Sequence, residues 1–265
     1  MIDYSSDFTY KVNKNNTVCI TNYTGNSEKV EIPCEIDGMS VEEIGFMSFE
    51  QCTGIKEVTV PDTVAYIDDD AFAGCSQLTV INIPKNVNYI GSCVFDDCTN
   101  LKNITVDTDN KCFSSFDGVL YNKDKTDLIF CPQGKTEVII PQTVLCINPY
   151  AFCKCSGLKE IEIPRSVIYI GKYAFCNCIS LKEVYFPNVK NIDCLAFLDC
   201  TGLEKITIGN SVKSIGDNAF EGCKNLKEVT IPETADNIGI CSFGYDNIQT
   251  ENFTIRCKNN SAGDK

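Results

Sequence analysis

Residues 164–186 read PRSVIYIGKYAFCNCISLKEVYF, and this stretch of 23 residues is repeated with small changes along most of the chain. As a consensus, the unit is P-x-x-V-x-x-I-G-x-x-A-F-x-x-C-x-x-L-x-x-I-x-I. Its most regular part is an F-x-x-C motif, represented here by Phe175 and Cys178. Random placement of 15 Phe and 18 Cys residues would give about one such pair, whereas seven occur in register. Internal repetition is therefore the first property that the fold has to explain.

The repeats are evenly spaced apart from one insertion. The Phe residues lie 22 or 23 residues apart except between Phe95 and Phe152, where the step is 57 residues, or two repeats plus 11. The seven pairs are Phe49/Cys52, Phe72/Cys75, Phe95/Cys98, Phe152/Cys155, Phe175/Cys178, Phe197/Cys200 and Phe220/Cys223. A period of about 20 to 29 residues with L-x-x-I-x-I is typical of leucine-rich repeats, in which each turn adds one short parallel strand. The sequence therefore predicts a leucine-rich-repeat solenoid, a right-handed β-rich coil of about nine rungs with short parallel strands and one hairpin excursion.

Each position of the repeat has a physical interpretation. Alternation in Ile161-Glu162-Ile163 indicates a half-buried strand. Pro164 ends that strand because proline cannot donate to a continuing ladder. The Ile-Gly pair, as at Gly171, turns the chain where a β-carbon does not fit. The Phe column then fills the space between rungs, and we expect almost complete burial of Phe72, Phe95, Phe175 and Phe220.

We expect a single solenoid domain over residues 1–265. Its predicted parts are an N-terminal cap with the first strand over 8–32, repeats over 33–106, an extended repeat with a β-hairpin over 107–140, further repeats over 141–244, and a C-terminal cap and tail over 245–265. The caps are needed because one repeat cannot bury its own apolar face. Nine strands are predicted, ending at Ile32, Val60, Ile83, Val106, Ile140, Ile163, Phe186, Ile208 and Ile231.

Strand patterns also define the two caps. Phe8–Val12 and Thr17–Ile20 are predicted to pair around a polar turn at Asn13–Asn16. At the other end, Phe253-Thr254-Ile255 is predicted to be a closing strand, and Lys258–Lys265 to be frayed.

The inserted segment predicts an excursion from the coil. Phe116–Tyr121 and Leu128–Pro132 read as two strands around a turn at Asn122–Thr126, and Glu137–Ile140 restores the regular strand. Because binding residues often lie on loops carried by a rigid scaffold, this hairpin is a candidate functional element.

Composition excludes several classes of function. The sequence contains no His, which removes Ser/His/Asp and Cys/His nucleophile pairs, His-ligated zinc and imidazole acid–base catalysis. With 23 Lys and Arg against 36 Asp and Glu, the formal net charge is −13, opposite to what binding to nucleic acid or anionic lipid requires. No apolar run approaches the length of a membrane span. We therefore expect no nucleic-acid partner and no membrane insertion.

These residues resemble the BspA-like leucine-rich repeat proteins. The resemblance rests on the seven (A/V/S)-F-x-x-C-x-x-(L/I) segments, on the I-P-x-x-V-x-x-I-G linker, on FDGVLYNKDKT at 116–126 and on the lead-in Val30–Gly38, and it covers residues 8–257. Family members are mostly bacterial or protist surface proteins that mediate adhesion to host matrix, host cells or other microbes without catalysis. The resemblance thus implies a cell-surface adhesion module. Eleven cysteines outside the F-x-x-C pairs depart from the family pattern.

The cysteines are interpreted mainly as packing residues. Those of the F-x-x-C pairs lie between an inward Phe and an inward Leu or Ile, which indicates small buried hydrophobic side chains with inert thiols. Cys153 and Cys176 occupy equivalent positions on neighbouring rungs, at disulfide or metal-ligand distance. One cysteine of each C-x-C pair is turned into the core, so four sulfurs cannot converge. We expect no metal and no cofactor, and a Cys153/Cys176 disulfide is the alternative to two thiols.

Outward residues of the strands form two columns that define a candidate binding face. The first column is Lys29, Glu57, Val80, Asn103, Glu137, Glu160, Glu183, Lys205 and Glu228; the second is Glu31, Thr59, Asn82, Thr105, Ile139, Glu162, Tyr185, Thr207 and Thr230. Glutamates at equivalent positions of neighbouring strands repel one another, which lowers the stability of the fold unless nearby positive charges compensate. One interpretation is that Lys159 and Lys182 screen these glutamates. The other is that the glutamates bind a basic patch on a partner or a weakly held Ca²⁺.

The candidate partner-binding residues come from this face and from the excursion. They are Glu57, Glu137, Glu160, Glu162, Glu183, Tyr185 and Glu228 on the face, with Tyr121, Lys123 and Lys125 on the excursion. Carboxylate pairs such as Glu160 and Glu162 lie on a flat sheet with nothing to desolvate one of them, so catalysis is not expected.

The sequence therefore predicts a non-enzymatic adhesion or recognition module, a monomer that binds a protein of host matrix, host cells or microbial surfaces. Its expected location is extracellular or at the cell surface. Residues 1–7 lack the basic and apolar regions of a secretory signal, so any signal would lie outside this sequence. The alternative is a cytoplasmic scaffold of the same fold, which agrees with many reduced thiols.

Overall fold

The structure is a computed structural model that describes residues 7–244 and 254–257. Predictions for residues 245–253 and 258–265, including most of the C-terminal cap and the frayed tail, lie outside the described residues. The chain divides into two compact units, residues 1–123 and 124–265. Each unit is a β-solenoid, and the described residues contain no helix. The solenoid fold predicted from the repeat is confirmed.

The first unit begins with an antiparallel hairpin. Strands β1 (Phe8–Val12) and β2 (Val18–Tyr23) pair around a polar connection, as the sequence predicts. The Tyr23 ring stacks on the Phe49 ring of the first repeat, with centroids 5.3 Å apart. The hairpin therefore covers the apolar end of the stacked Phe residues.

Two parallel sheets run through the repeats of the first unit. The strands are β3 (Lys29–Glu31), β4 (Glu35–Ile36), β5 (Met39–Ile44), β6 (Glu57–Thr59), β7 (Tyr66–Ile67), β8 (Val80–Ile83), β9 (Tyr89–Ile90) and β10 (Asn103–Val106). The L-x-x-I-x-I segments form one sheet in the order β10-β8-β6-β3, and the segments before the Ile-Gly turn extend β1-β2 through β5, β7 and β9. The short β4 pairs antiparallel with β5. Each 23-residue repeat thus contributes one strand to each sheet.

The inserted segment differs from the predicted hairpin. Strands β11 (Phe113–Phe116) and β12 (Val119–Asn122) pair antiparallel around Asp117 and Gly118, whose φ angles are 50° and 73°. The prediction of one unbroken strand over Phe116–Tyr121 is therefore wrong at Asp117 and Gly118, whereas β12 confirms its second half and the predicted turn at Asn122–Thr126 follows β12. Positive φ at both central residues is what a two-residue hairpin turn of type I′ requires, and Asp-Gly is a preferred pair for it.

The prediction that this segment bulges away from the coil is also wrong. Val119, Leu120 and Tyr121 are fully buried in the first unit. In the second unit, β13 (Asp127–Phe130) confirms the strand expected near Leu128, and the Leu128 side chain is also fully buried. Because this segment supplies core side chains, it is part of the packed structure.

The second unit also carries two parallel sheets. Its strands are β13, β14 (Cys146–Ile147), β15 (Tyr169–Ile170), β16 (Glu183–Phe186), β17 (Asn191–Ile192), β18 (Lys205–Ile208), β19 (Ser214–Ile215), β20 (Glu228–Ile231), β21 (Asn237–Ile238) and β22 (Thr254–Cys257). One sheet runs β13-β14-β15-β17-β19-β21 and the other runs β16-β18-β20-β22. The described part of the predicted closing strand is confirmed, because β22 pairs in parallel with β20.

Two of the nine predicted strands do not form. Residues 137–140 contain no strand, and residues 160–163 contribute only an isolated bridge between Glu160 and Glu183. Ile140 and Ile163 are nevertheless buried as predicted. Apolar alternation reports which side chains turn inward, whereas a strand also requires a closed hydrogen-bond ladder, and the pattern does not report that.

The core of each unit is a column of stacked Phe rings. Phe152, Phe175 and Phe197 stack with centroids 4.8 Å apart at each step. In the first unit Phe49, Phe72 and Phe95 stack at 4.9 and 5.9 Å. Burial is essentially complete, as predicted, for Phe72, Phe95, Phe175 and Phe220.

The cysteines of the F-x-x-C pairs line the same core and also make hydrogen bonds. All are buried except Cys52, which is half-buried. Five of them donate S–H to the carbonyl of the Phe in the preceding rung, at 3.0 to 3.3 Å: Cys75, Cys98, Cys178, Cys200 and Cys223. They therefore pack as predicted and, in addition, satisfy a buried backbone acceptor.

The candidate binding groove and its acidic residues

Part of each predicted outward column is observed as registered positions in the parallel sheets. In the first unit Lys29, Glu57, Val80 and Asn103 are successive partners. In the second, Glu160, Glu183, Lys205 and Glu228 follow one another. The second column is in register where Tyr185 pairs with Thr207.

Five of the ten candidate residues lie around one open groove of about 1010 Å³ in the second unit. This acidic groove is lined by segments 136–139, 159–162 and 182–185, together with Thr207. The candidates that line it are Glu137, Glu160, Glu162, Glu183 and Tyr185. The groove coincides with residues 137–140 and 160–163, where the predicted strands do not form.

The charges of the acidic groove are only partly compensated. Glu183 pairs with Lys205 at 3.6 Å. Within the described part of the chain, no ion pair joins a Lys or Arg side chain to Glu137, Glu160 or Glu162. All three side chains are exposed, so water solvates their carboxylates. The groove therefore presents negative charge that is available to a cationic partner.

Lys182, one of the two lysines expected to screen the groove glutamates, forms its ion pair elsewhere. Lys182 pairs with Glu204 of the next repeat at 3.1 Å instead of with a groove glutamate. The strand register places a basic residue, Lys205, directly beside Glu183. The ion pairs of these lysines therefore each involve a residue of the repeat that contains β18, and neither pair involves Glu160.

Apolar side chains accompany the carboxylates. Ile139 is 65% exposed and Tyr185 is 52% exposed, and both line the acidic groove. Sequence reasoning placed Ile139 in the outward column without selecting it as a candidate. An exposed β-branched residue in an otherwise polar column is the signal that could have identified it.

Two further candidates are engaged in ion pairs elsewhere on the strand faces. Glu57 pairs with Lys29 at 2.7 Å in the first unit. Glu228 pairs with Arg256 at 2.7 Å and lines a smaller depression of about 490 Å³ in the second unit. Such exposed pairs contribute little to stability, but their charge is compensated, which makes these glutamates weaker sites for a basic partner.

The candidates of the inserted segment make structural contacts. Tyr121 is fully buried, so its selection as a partner-contacting residue is wrong; β12 turns this side chain into the core. Lys123 Nζ donates to the backbone carbonyls of Thr108, at 3.2 Å, and Asn110, which gives it a structural contact. Lys125 is half-buried, and its carbonyl accepts a hydrogen bond from the Thr143 hydroxyl at 2.9 Å.

Among the described residues, the structure contains neither a candidate metal site nor a membrane-spanning helix. Over the residues that it describes, no group of three or more Cys, Asp or Glu side chains could hold a metal ion. The seventeen described cysteines, including Cys153 and Cys176, are thiols. In the same residues, no helix has the length and apolar character of a membrane span.

Comparison with known proteins gives a consistent family match. The family model for the BspA-type leucine-rich repeat region matches residues 19–133 and 126–250 with six copies. The crystal structure of the pneumococcal vaccine antigen PcpA is similar, with a TM-score of 0.73 and 29% identity over 90% of this chain and 59% of that chain. A leucine-rich repeat protein from Bacteroides ovatus gives a TM-score of 0.64 and 26% identity over 99% of this chain and 69% of that chain.

The chain thus spans less than two thirds of the length of the pneumococcal antigen. No curated protein matches the chain.

Proposed function

The chain belongs to the BspA-type leucine-rich repeat family, and we propose that it is a non-enzymatic binding module that holds a basic segment of a protein partner in the acidic groove. The proposed setting is extracellular or at the cell surface. The similarity to a pneumococcal vaccine antigen supports that setting. Solenoids commonly use their strand face for binding, which supports the choice of surface.

One observation carries the choice of partner chemistry. The acidic groove contains three exposed carboxylates, those of Glu137, Glu160 and Glu162, that are not ion-paired within the described residues. A Lys or Arg side chain of a partner would gain charge-assisted hydrogen bonds there without first breaking an ion pair of this chain. A basic segment is therefore the partner that fits the charge of the groove.

The apolar residues of the groove supply contact area. Exposed Ile139 and Tyr185 would be covered when a segment lies across the groove. Aromatic and aliphatic anchors of this kind provide much of the energy of protein interfaces, whereas rim charges mainly accelerate and orient association. A partner segment with both basic and apolar residues would satisfy the two kinds of site together.

The geometry supports binding over catalysis. A carboxylate pair that acts as acid and base needs one member held away from water, so that its pKa rises. Glu160 and Glu162 are both exposed on an open face. Without a desolvated member, the pair is better suited to ionic contact with a partner than to proton transfer.

The experiment that tests this function uses the chain as immobilised bait for host-matrix and bacterial-surface protein preparations. The groove variant combines Glu137→Gln, Glu160→Gln and Glu162→Gln. The control variant carries Glu35→Gln, Glu50→Gln and Glu233→Gln, which remove the same charge from exposed positions outside the two outward columns. We expect a partner retained by the wild type and the control and lost by the groove variant. Equal retention by all three baits would contradict the proposal.

A cytoplasmic scaffold is the second candidate function, favoured by the thiol state of the seventeen described cysteines. Proteins of oxidising compartments generally contain disulfides, whereas cytoplasmic proteins keep their cysteines reduced. Fractionation of the native cells with an antibody against the chain separates the two candidates. Recovery at the surface or in the medium supports the adhesion module, and recovery in the cytoplasm supports the scaffold.

A further inference from the structure

Two cysteines outside the F-x-x-C pairs lie side by side on neighbouring rungs. Cys153 follows Phe152 and Cys176 follows Phe175, and these two Phe rings stack with centroids 4.8 Å apart. The backbones are hydrogen-bonded next to the cysteines, because Lys154 N donates to the Cys176 carbonyl at 2.7 Å. Rungs paired in this way bring equivalent Cα atoms to about 5 Å. That separation lies within the range that a disulfide spans.

The environment of the Cys176 sulfur favours a thiolate. The Cys153 thiol is hydrogen-bonded to it, and Asn177 Nδ2 donates to it at 3.1 Å. These hydrogen bonds, that of Cys153 first, hold the pKa of the Cys176 thiol below its ordinary value although burial acts in the opposite direction. Cys176 is only 6% exposed, whereas Cys153 is half-buried. A reagent from solution would therefore meet Cys153 first, with Cys176 next to it on the neighbouring rung.

Cys52 and Cys75 provide an internal comparison. They also occupy equivalent positions on neighbouring rungs, and Cys52 is half-buried. Here the Cys75 thiol is a donor, to the Phe49 carbonyl at 3.2 Å. Burial raises the pKa of Cys52 to about 11, and the contact with the Cys98 sulfur, together with burial, raises the pKa of Cys75. Because the thiolate is the attacking species in disulfide exchange, this pair is expected to react slowly.

We propose that Cys153 and Cys176 form an oxidisable dithiol that reacts with small-molecule disulfides such as cystine and closes as a disulfide between two rungs. The Cys153 sulfur, after losing its proton, attacks one sulfur of the small disulfide, whose S–S bond breaks and releases one small thiolate. The Cys176 thiolate then attacks the Cys153 sulfur in the mixed disulfide and expels the second small thiolate. The two cysteines lose two electrons and two protons, and the small disulfide gains them as two thiols.

The test uses native protein incubated with excess cystine, quenched with acid, alkylated and mapped by mass spectrometry of non-reduced peptides. We expect one cross-linked peptide pair containing Cys153 and Cys176, while Cys52 and Cys75 are recovered as alkylated thiols. The exposed Cys34 reports, by its mixed disulfide, that the reagent has reacted. Recovery of Cys153 and Cys176 as alkylated thiols while Cys34 is modified would overturn the proposal. Equal cross-linking of Cys52 to Cys75 would overturn its selectivity.

Three variants test the order of the two steps. Cys176→Ser should trap the mixed disulfide on Cys153, and Cys153→Ser should leave Cys176 unmodified. Asn177 has a φ of 58°, so Asn177→Gly keeps the backbone while removing the amide donor, and cross-linking should slow. An adduct on Cys176 in Cys153→Ser would show that the assigned order is wrong, and an unchanged rate in Asn177→Gly would remove that side chain from the mechanism.

Discussion

At the scale of the residue, one Phe ring per repeat provides the largest apolar contact. Phe175 stacks on Phe152 and Phe197 with centroids 4.8 Å away on either side, and its side chain is fully buried. Phe175→Ala should therefore lower the free energy of unfolding by about 3 to 5 kcal/mol. Denaturant titration measures this loss, with Phe116→Ala, whose ring is 43% exposed, as control. A loss below about 1 kcal/mol for Phe175→Ala would contradict the register of the Phe column.

The second residue-scale prediction concerns the cysteines of the F-x-x-C pairs. Cys178 donates its S–H to the Phe152 carbonyl at 3.0 Å, and burial raises the pKa of its thiol. A maleimide reagent should label the exposed Cys34, Cys112 and Cys241 in the native protein, and Cys178 only after denaturation. Peptide mapping after timed labelling checks this. Native labelling of Cys178 at the rate of Cys34 would show that it does not lie in the core.

The identity of these core residues could be predicted from the sequence, but not all of their contacts could. Repetition of Phe and Cys at a fixed spacing is sufficient to place both columns inside the coil. The hydrogen bond from Cys178 to Phe152 joins residues 26 positions apart. It depends on how far one rung is offset from the next, which the spacing within a repeat does not specify.

At the scale of the element, the Ile-Gly turn brings the backbones of two rungs together. A β-carbon added at Gly216 would lie 2.3 Å from the backbone nitrogen of Cys194, although no positive φ requires glycine there. Gly216→Ala should therefore reduce stability by about 1 to 3 kcal/mol. Gly54→Ala is the matched control, because a β-carbon there meets nothing within 4 Å. Thermal or denaturant unfolding measures both, and equal stability of the two variants would contradict the close approach.

The inserted segment is a structural element, and substitution of its buried Tyr121 tests this interpretation. Tyr121 lies in β12 with no exposed surface, next to the buried Leu120. Tyr121→Ala should lower the free energy of unfolding by about 3 to 5 kcal/mol, and replacement of residues 113–131 by a short turn should prevent cooperative folding. Circular dichroism and denaturant titration test both changes. If the shortened protein unfolds cooperatively with wild-type stability, the segment is an excursion after all.

The errors at this scale have specific causes. The strand predicted over Phe116–Tyr121 runs through Asp117-Gly118, which is a strong hairpin signal on its own, and the chain turns there. Residues 137–140 have the right side-chain alternation for a strand, and only the missing ladder separates them from one. Alternation therefore predicted burial correctly at Ile140 and secondary structure incorrectly.

At the scale of the whole molecule, a regular repeat carries an irregular distribution of charge. The net charge of −13 indicates attraction to cations in general and does not locate a site. Register could be predicted from the repeat, and it aligned Glu160 with Glu183 and Glu183 with Lys205. Which lysine pairs with which glutamate could not be predicted, because exposed side chains choose among neighbours at similar distances. The acidic groove can therefore be identified only after the lysine–glutamate ion pairs are known.

The central claim is that this acidic groove is the binding surface, and the dissociation constant of a peptide rich in Lys and Val tests it most directly. We expect the combined Glu137→Gln, Glu160→Gln and Glu162→Gln variant to bind at least about tenfold more weakly than the wild type, a change of about 1.4 kcal/mol. The control with Glu35→Gln, Glu50→Gln and Glu233→Gln should stay within about twofold of the wild type at the same salt concentration. Isothermal titration calorimetry at one ionic strength provides all three constants. Equal weakening of both variants would show that the peptide responds to net charge alone, and that result would contradict the assignment of the groove.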